Sequence, residues 1–349
     1  MNEIDTLITA VNKKHPGVLR WASTLPTFQR ITTGSLAYDL ALGGGWPLNC
    51  VNEIIGMESM GKTVLALKSV AAAQKTNPDH HTLWVAAEDF DFPWAAALGV
   101  DADMMTFVQS NIMEEAYESC TRVMSKRAAD AVVIDSLPAL MPSEEDEKSM
   151  MEYTVGRGAL LTNKFMRKCM ASTKRSLTEA DRAVLMLVIN QWREKVGVMF
   201  GDTRTTPGGR GKNYTYMTRA EITREEWIKD GDTLVGQTMK MHTMKNKTAP
   251  PRRTATVDFY FTDVDDHLQG SYDYTRELWE VGLETEVIER KGAWYHFKGK
   301  KWNGKEAVWQ AMQNDQSLVS AIDTQIRVEV LHQAPPPAEA KRRRTVARK

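Results

Sequence analysis

The sequence predicts an α/β fold, a mostly parallel central sheet flanked by helices, with a short N-terminal helix before it and a small α/β unit after it. Three observations carry this. Thr82–Ala87, Ala131–Asp135 and Val184–Asn190 are continuous apolar runs, the pattern of parallel strands covered on both faces. Segments of helical periodicity alternate with them, as a doubly wound sheet requires. Early in the chain, Gly56-Met57-Glu58-Ser59-Met60-Gly61-Lys62-Thr63 fits the phosphate-cradling pattern G-x-x-x-x-G-K-[ST].

Along the chain, Ile4, Leu7, Ile8 and Val11 recur at helical spacing, so residues 3–14 form a short amphipathic helix whose apolar stripe needs a cover. His15-Pro16-Gly17 ends it. Val51, Ile54 and Ile55 read as a buried strand entering the phosphate loop, and Val64–Gln74 as the helix leaving it. Further helices are expected at Glu114–Arg127 and Leu160–Thr173. Strand-like runs at Tyr214–Thr223, Thr238–Met244 and Thr254–Phe261 extend the sheet. From near His267, Leu278, Val281, Leu283, Val287 and Ile288 supply a second, small core. Gln333–Lys349 carries three consecutive prolines, then Lys341, Arg342, Arg343, Arg344, Arg348 and Lys349 against Glu339 alone, the composition of a disordered basic tail. The expected division is 1–29, an N-terminal helical segment; 30–266, the nucleotide-binding core; 267–332, a small unit; and 333–349, the tail.

The 349 residues hold 45 basic and 45 acidic side chains, so net charge alone points to no partner. Cys50, Cys120 and Cys169 lie far apart, which argues against a disulfide framework or structural zinc and for a reducing compartment. No run reaches the roughly 20 apolar residues of a membrane span, and Met1–Pro16 lacks the apolar core of a signal peptide. A soluble, cytoplasmic protein is expected.

In the phosphate loop, Gly56 and Gly61 let backbone N–H groups turn toward phosphates. Lys62 places an ammonium between the β- and γ-phosphates, and Thr63 offers a hydroxyl to Mg²⁺. Glu58, Ser59, Met60 and Val64 complete the cradle. Asp135, ending an apolar strand, is the expected metal-orienting carboxylate. Glu88, ending Leu83–Ala87, can accept a proton from an attacking water, although a solvated strand-end glutamate reads the same way. Residues 190–213 hold Arg193, Lys195, Arg204, Arg210 and Lys212 against Glu194 and Asp202, with Gly197, Gly201, Gly208, Gly209 and Gly211 among them. A mobile, basic, glycine-rich loop suits backbone contact with single-stranded nucleic acid, and an ordinary solvated loop is the alternative.

Ile31-Thr32-Thr33-Gly34-Ser35-Leu36, the loop at 56–63, Ile134-Asp135-Ser136, Asn190-Gln191-Trp192-Arg193, Gly197-Val198-Met199-Phe200-Gly201, Lys245-Asn246-Lys247 and Lys291-Gly292-Ala293-Trp294-Tyr295 occur in the order seen in bacterial RecA recombinases. Over roughly residues 30–330 the chain resembles that family. The resemblance implies a P-loop, RecA-like core with Glu88 as the carboxylate that activates water. It implies that Gln191 senses the γ-phosphate, and that Asp91 and Trp94 pack against adenine in a segment one residue shorter than the usual pattern. It makes 190–213, Phe200 included, the main DNA loop. A second DNA loop falls near 143–158, where Glu144, Glu145, Asp146, Glu147 and Glu152 oppose phosphate contact. There Met150 or Met151 can wedge between bases and Arg157 or Arg167 can supply the positive contact, against the alternative of an acidic surface loop.

Lys245 and Lys247 are implied to reach across a subunit interface into the neighbour's ATP site, with the N-terminal helix docking on the next subunit. Arg290, Lys291, Lys298, Lys300, Lys301 and Lys305, interleaved with Trp294, Tyr295, Phe297 and Trp302, suit a duplex-capture surface or the rim of a small domain. The basic tail departs from the acidic one common in the family. The implied function is a DNA-dependent ATPase, using ATP and Mg²⁺, that forms helical filaments on single-stranded DNA and exchanges strands with a homologous duplex. A ring-forming DNA motor and a regulatory ATP-binding protein are the competing readings.

Overall fold

In the computed structural model, residues 2–25, 27–147, 156–179, 182–195 and 203–333 are described, with backbone alone over 174–179. Met150, Met151, Phe200 and the basic tail lie outside these residues.

The core is an eight-stranded sheet. Its strands are β1 (Cys50–Gly56), β2 (Thr82–Ala86), β3 (Met105–Val108), β4 (Ala131–Asp135), β5 (Leu185–Gln191), β6 (Thr218–Asp230), β7 (Thr233–Asn246) and β8 (Thr254–Tyr260). They run in the order β8-β7-β6-β1-β5-β4-β2-β3. Every pairing from β6 across to β3 is parallel, and β7 and β8 add on antiparallel. The apolar runs explain the parallel part, because all of β1 and all of β4 are buried. The β6–β7 ladder shifts register between Arg219 and Ala220, Arg224 and Glu226, and Ile228 and Lys229. Bulges of this kind twist and re-aim a long ribbon.

The helices are α1 (Glu3–Lys14), α2 (Leu36–Leu42), α3 (Lys62–Thr76), α4 (Phe92–Ala97), α5 (Met113–Lys126) and α6 (Arg157–Glu179), then α7 (Tyr274–Glu284), α8 (Lys305–Asn314) and α9 (Gln316–Gln325). Asn2 and Asp5 close a capping box on α1, whose Ile4 and Leu7 are exposed while Ile8 and Val11 are half-buried, so among the described residues the stripe is only partly covered. Several expected bounds change, β6 running on to Asp230 and β7 starting at Thr233. Helix α6 exceeds Leu160–Thr173 at both ends. The run from Tyr214 does not start a strand: Lys212–Thr215 is one helical turn and β6 begins at Thr218. Alternating aromatic and polar residues there mimic a strand, but Tyr214 is 81% exposed and has no sheet to pack on.

The small unit packs α7, α8 and α9 on a three-stranded antiparallel sheet of Glu289–Lys291, Trp294–Phe297 and Lys300–Asn303. Its core of Leu278, Val281, Ile288, Phe297, Val308 and Ile322 also takes in Leu36 of α2. Buried Glu277 seals the junction, accepting from Ser35 Oγ and from the Ala37 N–H at 3.0 Å. Gln333 Nε2 donates to Asp39 Oδ2 at 2.9 Å on the same helix. Among the described residues no helix is long and apolar enough to cross a membrane.

Candidate nucleotide and DNA site

Parallel register brings the carboxyl ends of β1, β5, β4 and β2 level, with Gly56 opposite Gln191 and Ala86 opposite Asp135. Ligands of open α/β sheets bind outside such ends. Each glycine of the phosphate loop has its own reason. A Cβ on Gly56 would stand 2.4 Å from the Ile222 carbonyl oxygen on β6, so this glycine clears the neighbouring strand. Gly61 has φ +94° and a Cβ there would meet Met239 Cε at 2.4 Å. No side chain caps α3, which leaves its first-turn N–H groups able to take an anion.

Lys62 is 7% exposed and donates from Nζ to the Met57 carbonyl at 2.6 Å. Burial lowers its pKa, while Glu88, Asp135 and Glu58 push it back up. Thr63 Oγ1 donates to Asp135 Oδ2 at 2.9 Å. Asp135 Oδ1 is buried with no hydrogen-bond partner among the described residues. Burial raises the Asp135 carboxyl to about 7; the Thr63 bond pulls down, the Glu88 charge adds to the rise, and Lys62 lowers it. A hydroxyl oxygen beside an orphaned carboxylate oxygen is a hard donor pair that fits Mg²⁺.

Glu88 leaves β2 with its backbone N–H donating to the Asp135 carbonyl at 3.1 Å. Its Oε1 accepts from Ser136 Oγ and from Gln191 Nε2, the latter at 3.3 Å. Two expected catalytic groups, Glu88 and Gln191, thus meet, together with Ser136, which the sequence reading did not name as a site residue. Glu88 and Gln191 face a cavity of about 670 Å³ also lined by Glu58, Ser59, Gly61, Lys62, Thr63, Val64 and Asp135. Trp94, Trp227, Phe259 and Phe261 line it as well. The rings meet edge to face, Trp94 on Phe259 at 6.2 Å and Trp227 on Phe261 at 6.1 Å between centroids. Asp91 does not line this cavity; it caps α4, accepting from the Trp94 N–H at 2.6 Å. Met60 turns to the sheet, where its sulfur accepts from the Arg224 N–H.

The loop after β5 is anchored at both ends. Arg204 pairs with Glu221 at 2.8 Å and lies 4.5 Å over the Trp192 ring. Gly208 and Gly209, at φ +88° and +76°, approach Thr162 and Ala159 of α6, where a Cβ would stand 3.0 and 3.1 Å away. Arg193, Arg210, Arg157 and Arg167 are exposed, Arg157 with Glu144 at 3.9 Å, and Lys195 is half-buried. Lys212, expected on the DNA side, is fully buried. Its Nζ donates to Thr206 Oγ1 at 2.6 Å and to the Gly209 carbonyl at 3.0 Å, closing the loop from inside. It cannot reach DNA in this arrangement. Lys245 Nζ donates to the Asn213 carbonyl at 2.7 Å and Lys247 Nζ to the Tyr214 carbonyl at 3.4 Å, at that loop's far root. Neither lysine lines its own chain's cavity. Burial first, then Lys247 and Arg219, lower Lys245 to about 8.

The model of the RecA N-terminal domain matches residues 4–264 and that of the RecA C-terminal domain residues 276–331. The chain belongs to the RecA family. Protein RecA of Lactobacillus delbrueckii subsp. bulgaricus is 37% identical over 314 residues, 89% of this chain and 90% of that one. Protein RecA of Staphylococcus aureus is 37% identical over 298 residues, 85% and 82% of the two. As a member of the RecA family, the chain is a DNA-dependent ATPase that forms filaments on single-stranded DNA and exchanges strands, with ATP and Mg²⁺ as cofactors. Within the candidate RecA site, sequence reasoning missed Ser136, which follows Asp135 directly, and Trp227, Gln237, Phe259 and Phe261 of the added strands and their ends. The latter four have no local motif, because the antiparallel extension of the sheet brings them in.

Proposed function

We propose that ATP hydrolysis takes place in the cavity behind residues 56–63, with Glu88 as the base and Gln191 as the link to the DNA loop. One observation carries this: a single carboxylate oxygen of Glu88 is held by Ser136 and by Gln191, and Gln191 stands at the root of residues 190–213. A glutamate so placed can orient a water and take its proton. A shift of the loop on DNA would move the amide and change that orientation, which couples the two sites through one bond.

In this reading Lys62 and the uncapped start of α3 hold the β- and γ-phosphates. Thr63 and Asp135 hold Mg²⁺, which supplies charge neutralisation on the phosphates when bound. Trp94 and the other rings enclose the base, with Asp91 acting through the shape of α4. Arg193, Arg210, Arg157 and Arg167 contact the DNA backbone, and Lys212 keeps the loop's curvature. Lys245 and Lys247 serve the neighbour's ATP from the loop root they now hold, and α1 covers its stripe on the next subunit. The unit from 267 to 332 takes duplex DNA, in a cytoplasmic protein.

The test of the composite site is complementation. Lys62→Ala subunits and Lys245→Ala/Lys247→Ala subunits should each be inactive alone and show DNA-dependent ATPase when mixed, because a mixed interface joins an intact loop to intact lysines. No activity in any mixing ratio, with co-assembly shown by light scattering, removes the shared site.

A further inference from the structure

Asn190 and Trp192, the residues on either side of Gln191, are each held by a buried carboxylate of a neighbouring strand. Trp192 Nε1 donates to Glu221 Oε1 on β6 at 2.8 Å. Asn190 Nδ2 donates to Glu53 Oε1 on β1 at 2.9 Å, and both of these residues are fully buried. A carboxylate at that depth is costly unless paired. Arg219 supplies the pair, its Nε donating to Glu53 Oε2 at 2.5 Å. The other end of the Asn190 amide turns to the next residue, its Oδ1 accepting from the Gln191 backbone N–H at 3.0 Å. A continuous path therefore runs from Arg219 through Glu53 and Asn190 to the Gln191 backbone. Glu53 itself does not line the nucleotide cavity. Successive strand side chains point to opposite faces, so Asn190 and Gln191 project away from each other and only the backbone joins them. The Asn190 amide cannot turn over, because its NH₂ would then face the Gln191 N–H and its oxygen the Glu53 carboxylate.

We infer that Glu53 is a positioning residue for hydrolysis: acting through Asn190, it holds Gln191 at the angle from which its amide meets Glu88, and so sets how strongly DNA stimulates turnover. This inference rests on the link between Gln191 and Glu88 proposed above, and the experiment separates the two.

Glu53→Gln keeps the size of the side chain but offers one acceptor oxygen to two donors. The charged Arg219 takes it, because charge-assisted bonds are the stronger ones, and Asn190 loses its partner. Steady-state phosphate release at saturating ATP, with and without saturating oligo(dT), gives the stimulation by DNA. It should fall roughly fivefold in Glu53→Gln, with KM for ATP within about twofold of the wild type. Glu53→Gln/Arg219→Met removes the competing donor, frees the glutamine oxygen for Asn190 and should restore most of the stimulation. A merely structural role for the ion pair predicts the reverse, a double variant no better than the single one. Full stimulation in Glu53→Gln overturns the inference, and so does a double variant without recovery. If Glu53→Gln fails to fold, Asn190→Ala cuts the same path one residue later and should lose stimulation to a similar extent; its keeping full stimulation overturns the inference as well. Gln191→Ala separates the two readings. If it keeps full stimulation, the link to Glu88 falls and the role of Glu53 with it; if it loses stimulation while Glu53→Gln does not, only the role of Glu53 falls.

Discussion

Gln191→Ala should uncouple hydrolysis from DNA while sparing hydrolysis itself. The amide makes a charge-assisted bond to Glu88 at 3.3 Å, on a half-buried side chain. Bonds to charged groups contribute about 1.5–3 kcal/mol, and a long, partly solvated one belongs at the lower end, near 1.5. That is roughly tenfold in an equilibrium or rate. Ser136 Oγ still holds the same oxygen, so Glu88 stays oriented and basal turnover persists. The ratio of ATPase with saturating oligo(dT) to ATPase without it should therefore drop about tenfold, with ATP affinity nearly unchanged. Steady-state phosphate release at saturating ATP measures both rates. Ser136→Ala is the contrasting control and should lower both. Full stimulation by DNA in Gln191→Ala would refute the link drawn through Glu88.

Glu88→Gln should retain ATP and DNA binding and lose about 10²–10⁴-fold in turnover, read by single-turnover hydrolysis. Lys212→Met should destabilise the fold by about 2–4 kcal/mol, because the ammonium's acceptors at Thr206 and Gly209 are left buried. Burial lowers Lys212 to about 8 while Glu53 pushes the other way, so between about 8 and the unfolded lysine value the folded chain binds fewer protons. Wild-type stability relative to Lys212→Met should then be flat below pH 8 and rise through that window, as denaturant titrations across pH would show. Deleting residues 338–349 should weaken duplex binding and flatten its salt dependence; anisotropy in rising salt checks this, and tighter binding would reverse the reading.

Some of this site was legible in sequence because its information is local. The phosphate loop is eight adjacent residues between a strand and a helix, and Asp135 closes an apolar run that can only be a buried strand. The aromatic wall was not legible. Trp227 lies where β6 runs on to pair with the antiparallel β7, and Phe261 follows directly after β8; whether Trp227 faces the cavity depends on the β6–β7 register, which three irregularities shift. Lys212 misled for the opposite reason. Basic residues among glycines read as solvated, and nothing in the sequence says that Thr206 and Gly209 fold back over that one ammonium. Asp91 likewise looked like a ligand when its local duty is to start a helix.

The seam made by Ser35, Ala37, Asp39, Glu277 and Gln333 bears on how this chain can be cut. A fragment ending near residue 266 would expose Leu36 and strip the partners from α2, whose Tyr38 hydroxyl donates to the carbonyl of Met239 at 2.9 Å, the residue whose side chain lies against Gly61. The small unit thus braces α2, and through Tyr38 the strand β7, beside the proposed nucleotide cavity. Expression fragments for crystallisation or drug screening should run through Gln333, since a shorter piece would offer inhibitors a pocket beside which β7 has lost its support.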